Sequence, residues 1–90
     1  MEGRHDPEKD AANRDKHGLP LLFGDSIFLD EDHLIMPSIR PQDGEDRFKV
    51  VGTVDGSLFT GVFVWRHDIP RFISVRRSNP GEERAYHSGG

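Results

Sequence analysis

The segment Arg47-Phe48-Lys49-Val50-Val51-Gly52-Thr53-Val54-Asp55-Gly56-Ser57-Leu58-Phe59-Thr60-Gly61-Val62-Phe63-Val64-Trp65-Arg66 decides the fold. It consists of two runs rich in Val, Phe and Thr, separated by Asp-Gly, a pair that readily adopts the positive φ angles of a tight hairpin. A two-residue turn at Asp55-Gly56 fixes the register. Phe48, Val50, Gly52 and Val54 then share a face with Phe59, Gly61, Phe63 and Trp65. Arg47, Lys49, Val51 and Thr53 share the other face with Leu58, Thr60, Val62 and Val64. The aromatic face is the one that helices are expected to cover. The other is mixed and basic, and is expected to stay open as a surface for RNA.

Working outward, Pro70 opens a further strand through Arg77, ended by Asn79-Pro80, and His33 to Ser38 reads as a short strand. Glu82 to Tyr86 reads as a short C-terminal helix, in which Glu82 and Tyr86 sit one turn apart and are best read as a packing pair. Upstream, Asp6 as N-cap, Pro7 at the first helical position and Gly18 as stop give a helix over about residues 7–17. The spacing of Leu21, Leu22, Phe23, Ile27, Phe28 and Leu29 predicts a second helix over about residues 20–29. The expectation is an α+β fold: two N-terminal helices, an antiparallel sheet of about four strands and a short C-terminal helix. Ninety residues suit one domain over 1–90, with loose tails at 1–4 and 88–90.

Composition narrows the classes. Hydrophobic residues make up 33% and charged residues 31% of the chain, and mean hydropathy is −0.67. A domain of this size removes only roughly 60–65% of its unfolded surface from water, so the stability margin is small. There is no cysteine, which excludes disulfides and cysteine zinc sites. The N-terminus is charged where a signal peptide needs an apolar stretch, and no apolar run approaches a bilayer span. A soluble, cytoplasmic protein with no membrane role is expected. Net charge is −4, which argues against bulk attraction to nucleic acid. The charge is uneven, however. Acids gather at Asp30, Glu31, Asp32, Asp43, Glu45 and Asp46, suiting a basic partner; arginines gather at Arg66, Arg71, Arg76, Arg77 and Arg84.

Arg71, Arg76 and Arg77 are the main chemical candidates. A guanidinium presents a planar, permanently charged fork that matches phosphate. RNA cleavage by a 2′-hydroxyl passes through a pentacovalent state with added negative charge, which fixed guanidinium groups stabilise more than the ground state. A plain strand edge decorated for solubility is the competing reading. A four-residue loop at His67 to Pro70 puts Arg71 and Arg77 on the basic face, and a loop one residue longer or shorter brings Arg76 there instead. Lys9, Asn13, Lys16 and His17 form one stripe on the first helix. It reads either as a solvated face or as an RNA backbone contact with His17 as proton carrier. The five histidines lack metal-ligand spacing, Asp30-Glu31-Asp32 lacks that of a calcium loop, and no metal or other cofactor is expected.

Four stretches together resemble the BrnT family of toxins. They are Asp6-Pro7-Glu8-Lys9 with Asn13 and Lys16-His17-Gly18; Gly44-Glu45-Asp46-Arg47-Phe48 with Gly52; Arg71-Phe72-Ile73-Ser74-Val75-Arg76-Arg77; and Glu82, Arg84 and Tyr86. His5 stands where the family has Trp and Ser78 where it has Ala, and residues 30–43 have no counterpart. The resemblance implies a RelE-like fold and an endoribonuclease that needs no metal and inhibits translation. It implies neutralisation by a cognate BrnA-like ribbon-helix-helix antitoxin, through which DNA is contacted only indirectly. On this reading Arg71 and Arg76 hold the scissile phosphate. His17 and Glu45 are candidates for the base, and Lys16, Arg47, Lys49 and Arg77 position the RNA. The alternative is a non-catalytic module that binds and stabilises a ribbon-helix-helix repressor.

Overall fold

The computed structural model describes residues 7–38 and 46–89. Helix α1 spans Pro7–His17. A 3-10 turn, Leu21–Phe23, leads into the short helix α2, Gly24–Phe28. Four strands follow, β1 Leu34–Pro37, β2 Phe48–Val54, β3 Ser57–Arg66 and β4 Ile69–Arg77, and helix α3, Pro80–His87, ends the fold. The strands form one antiparallel sheet in sequential order. The expected N-cap Asp6 and the candidate Glu45 lie outside the described residues.

The central hairpin has the expected register, with Val54 opposite Ser57 and Phe48 opposite Phe63. Asp55 and Gly56 adopt φ of 52° and 83°, as a two-residue turn between twisted strands requires. Leu21, Ile27, Val50, Phe59, Phe63, Phe72 and Val75 form the core on the aromatic face. The rings meet edge-on: Phe28 and Phe63 are 5.4 Å apart, and Phe63 and Trp65 are 5.1 Å apart.

The second expected helix is broken in two. Pro20 starts a tight 3-10 turn, and α2 occupies only Gly24–Phe28. Gly24 lies at the junction, packed so closely against Phe72 that a Cβ there would overlap the ring. Gly24→Ala is therefore expected to destabilise by about 1–3 kcal/mol through overpacking, read as a lowered midpoint in thermal unfolding.

Two helices do work that sequence periodicity does not show. α1 buries only Asn13, whose side chain bonds to the outer edge of β4. The Asn13 amide donates to Val75 O at 2.8 Å and accepts from Val75 N–H at 2.9 Å, as a neighbouring strand would. It also donates to Leu19 O at 2.8 Å. The sheet edge is thereby closed by a helix. α3 lies on the face opposite the aromatic core, so the expectation of an open basic face is corrected. Glu82 of α3 bonds there to Thr60 and Lys49, and Val51, Thr60 and Val64 on that face are buried. Among the described residues no helix is long and apolar enough to cross a membrane.

Candidate functional site

The placement of the arginines turns on one irregularity. The β3–β4 connection is a two-residue turn at His67-Asp68, with φ of 52° and 67°, not a four-residue loop. From Arg66 opposite Ile69, the ladder runs to Phe63 opposite Phe72 and resumes at Val62 opposite Ser74. Ile73 is the extra residue of a β-bulge. The bulge flips side-chain parity within β4, so Arg71, opposite Val64, and Arg76, opposite Thr60, point to the same face although five positions apart. Ser74 joins them there beside Val62, which is itself flanked by Lys49. Phe72 and Val75 both turn into the core. Arg77 is corrected to the opposite face, where its guanidinium carbon lies 5.5 Å from the Phe59 ring centre.

Glu82 sits at one end of this face, 2% exposed. Its Oε1 accepts from Arg76 Nη1 at 2.7 Å, Thr60 Oγ1 at 2.9 Å and Asn79 N–H at 2.9 Å. Its Oε2 accepts from Arg76 Nη2 at 2.8 Å and Lys49 Nζ at 3.0 Å. Asn79 Oδ1 accepts in turn from Glu82 N–H at 2.8 Å, completing a capping box that starts α3 at Pro80. Burial alone would push the Glu82 carboxyl upward. The bonds from Arg76, Asn79 N–H, Lys49 and Thr60 outweigh burial and bring it down to about 2. The same pairing holds Arg76 above the ordinary guanidinium value. With its lone pairs filled, Glu82 is an anchor for Arg76 and α3 and a poor proton acceptor. The packing reading of Glu82 and Tyr86 fits these contacts.

Asp30 is the second anchor. Its Oδ2 accepts from Tyr86 O–H at 2.6 Å and from Thr53 N–H at 2.8 Å and Oγ1 at 3.0 Å. These bonds, that of Tyr86 first, hold Asp30 well below the usual carboxylate range, and Asp30 in turn raises Tyr86. Both carboxyls are thus depressed in the folded state. Their contribution to stability is complete above pH 4–5 and is lost as the pH falls toward their folded values. For Glu82 the shift from 4.5 to about 2 corresponds to something on the order of 3 kcal/mol. Urea midpoints are expected to be level from pH 7 to 5 and to fall steeply from pH 4.5 to 2, and the Glu82→Gln protein should lose part of that slope.

The free cations lie at the other end of the face and along the β4 edge. Arg71, Lys9, Lys16 and His17 make no ion pair among the described residues. A hollow of about 110 Å³ lies between Lys9, Arg66, Arg71 and Ile73. A second, of about 210 Å³, lies between α1 and the bulge, where Lys9, Lys16, His17 and Ser74 meet. Lys9 and Ile73 border both. The candidates therefore fall into three places. Arg76 and Lys49 are joined through Glu82, and Arg71 stands with Lys9 on the same face. Lys16 and His17 approach Ser74 from α1. Arg47, half-buried, precedes β2, and its carbonyl accepts from Ser38 N–H at 2.8 Å. Lys9, bordering both hollows, is the residue that sequence reasoning left in the background; its place beside Asn13 and Lys16 on one helical face was the available signal. The sequence places Asp30 in an acidic patch suited to a basic partner, and only the folded contacts with Thr53 and Tyr86 reveal its anchoring role.

The family model described as "Ribonuclease toxin, BrnT, of type II toxin-antitoxin system" matches residues 5–82. No curated protein matches the chain.

Proposed function

The chain belongs to the family of BrnT ribonuclease toxins of type II toxin–antitoxin systems, and from that premise we propose that it is a metal-independent endoribonuclease of RelE-like fold that inhibits translation in the cytoplasm. The whole chain serves as one toxin domain. Cleavage proceeds by attack of a ribose 2′-oxygen on the adjacent phosphorus. The P–O2′ bond forms and the P–O5′ bond breaks. One proton leaves O2′ and one reaches O5′, giving a 2′,3′-cyclic phosphate and a 5′-hydroxyl end.

The observation that carries this reading is the bulge at Ile73, which brings Arg71 and Arg76 to one face of β4. Arg71 supplies an unpaired guanidinium fork to the phosphorane oxygens. Arg76 gives two Nη–H bonds to Glu82 and keeps Nε–H and a second Nη2–H for a phosphate. Its side chain is 28% exposed and that of Lys49 25%. His17, at the end of α1 beside Ser74, carries a proton in this scheme. Glu45 is the other candidate for the base. Lys16, Arg47 and Lys49 position the RNA backbone. Arg77, over Phe59, contacts RNA away from the scissile phosphate.

The antitoxin is proposed to be a BrnA-like ribbon-helix-helix protein that neutralises the enzyme and provides the DNA contact. Expression of the chain alone is expected to arrest growth with fragmentation of total RNA, and co-expression of the antitoxin should restore growth. Intact RNA and normal growth at high expression would remove the nuclease reading. One observation favours a second reading, a non-catalytic module that stabilises its partner: the Arg76 fork is already occupied by Glu82. On that reading the protein binds its antitoxin tightly and leaves RNA intact.

A further inference from the structure

An ordinary surface helix turns an apolar stripe toward the protein. α1 instead turns Lys9, Asn13 and Lys16 toward the β4 edge, held there by the three Asn13 bonds and by Asp10, which accepts from Leu21 N–H at 2.7 Å. The hollow of about 210 Å³ left beneath it is filled by no side chain of the described residues. Its walls combine two kinds of surface. Ala12, Ile73 and the His17 ring offer apolar and flat contact, while Lys16, Ser74 and Lys9 offer charge and hydrogen bonds. The smaller hollow next to it brings three cations, Lys9, Arg66 and Arg71, together over the apolar residues Val64, Phe72 and Ile73. A hollow with three cations on its rim that shares Lys9 with a larger, partly apolar one matches the two halves of a nucleotide.

Resting on the ribonuclease reading above, we infer that the hollow between α1 and the β4 bulge is a nucleoside subsite. It takes an unpaired nucleotide of single-stranded RNA while Lys9 and Arg71 hold the adjoining phosphate. Bases in a duplex are stacked and paired, and in A-form RNA side chains cannot reach them through the deep groove. A site that must admit a whole nucleoside therefore selects unpaired RNA. Ala12, exposed on α1 and at the rim, controls the width of the opening.

The test is binding of a 2′-fluoro oligoribonucleotide, which lacks the attacking hydroxyl, to the full chain and to two variants. Ala12→Leu narrows the hollow; Ala11→Leu changes a neighbouring exposed position that does not border it. Both substitutions suit a helix and should leave thermal unfolding unchanged. The single strand is expected to bind more tightly than the same sequence in a duplex. Ala12→Leu should weaken single-strand binding about tenfold or more, the scale of losing one base contact, and Ala11→Leu should not. Equal binding of duplex and single strand, no binding of either, or unaltered binding by Ala12→Leu would each overturn the subsite. The expected binding pattern in a protein that leaves natural RNA uncut would sustain the subsite and defeat the nuclease reading.

Discussion

Glu82→Ala is expected to lower the melting temperature by more than about 10 °C, the largest stability effect of any single substitution at the candidate site. Removing this carboxylate leaves Arg76 and Lys49 facing each other across a buried space without their shared counter-charge. It also takes away the acceptor of Thr60 Oγ1 and of the Asn79 N–H that starts α3. Breaking a buried ion pair by deleting one partner costs about 3–5 kcal/mol, because an uncompensated charge remains. Total stability for a domain of this kind is about 5–15 kcal/mol, so the folded population itself is at stake. Glu82→Gln should cost less, since it keeps an acceptor for the Asn79 cap. Glu83→Ala, on the exposed side of α3, should fall within about 0.5 kcal/mol of the parent. Differential scanning fluorimetry of the three variants separates these expectations. A Glu82→Ala protein that melts with the parent would show that the five hydrogen bonds are dispensable.

Arg71→Ala is the corresponding prediction for catalysis. Arg71 is half-buried and makes no ion pair among the described residues, so its loss should change stability little. The rate of RNA cleavage should drop by about 10²–10³, the usual cost of removing one donor from a developing oxyanion. Arg71→Lys should recover only part of the loss, because a single ammonium cannot reproduce the two parallel N–H groups of the fork. Arg77→Ala should have a far smaller effect, since that guanidinium lies over Phe59 on the other face. Arg76→Ala would mix two losses, transition-state contact and the Glu82 ion pair, and is the poorer test of mechanism. A folded Arg71→Ala enzyme with the parent rate would take Arg71 out of the chemistry.

Most of the sheet was legible because its signals are local. Asp55-Gly56 fixes a turn type, the turn fixes a register, and alternation then assigns each side chain of β2 and β3 to a face. The β3–β4 connection lacks that signal. His67 and Asp68 adopt the same positive φ angles without a glycine, so the tight turn reads as part of a longer loop. The bulge at Ile73 is less visible still, since strict alternation never yields a same-face pair five residues apart. The one available hint was that Phe72 and Val75, three apart, are both apolar; in a regular strand one of them would face away from the core. Missing it misassigned Arg77 and left Arg71 and Arg76 as alternatives, when the fold accommodates both. The role of α3 depended on a tertiary event of the same kind. Glu82 and Tyr86 were legible as a packing pair. That Glu82 would close one end of the basic face by gathering Lys49, Thr60 and Arg76 was not, because those partners lie 33, 22 and 6 positions away.

On the proposed mechanism these fixed cations break RNA by activating its own 2′-oxygen. The direct measurement is the chemistry of the cut ends, obtained with purified protein, single-stranded RNA and excess EDTA. Undiminished cleavage is expected, with a 2′,3′-cyclic phosphate on one fragment, a 5′-hydroxyl on the other, and no cutting where the 2′-hydroxyl before the scissile phosphate is replaced by hydrogen. Cleavage abolished by the chelator, or persisting at a 2′-deoxy position, would contradict it.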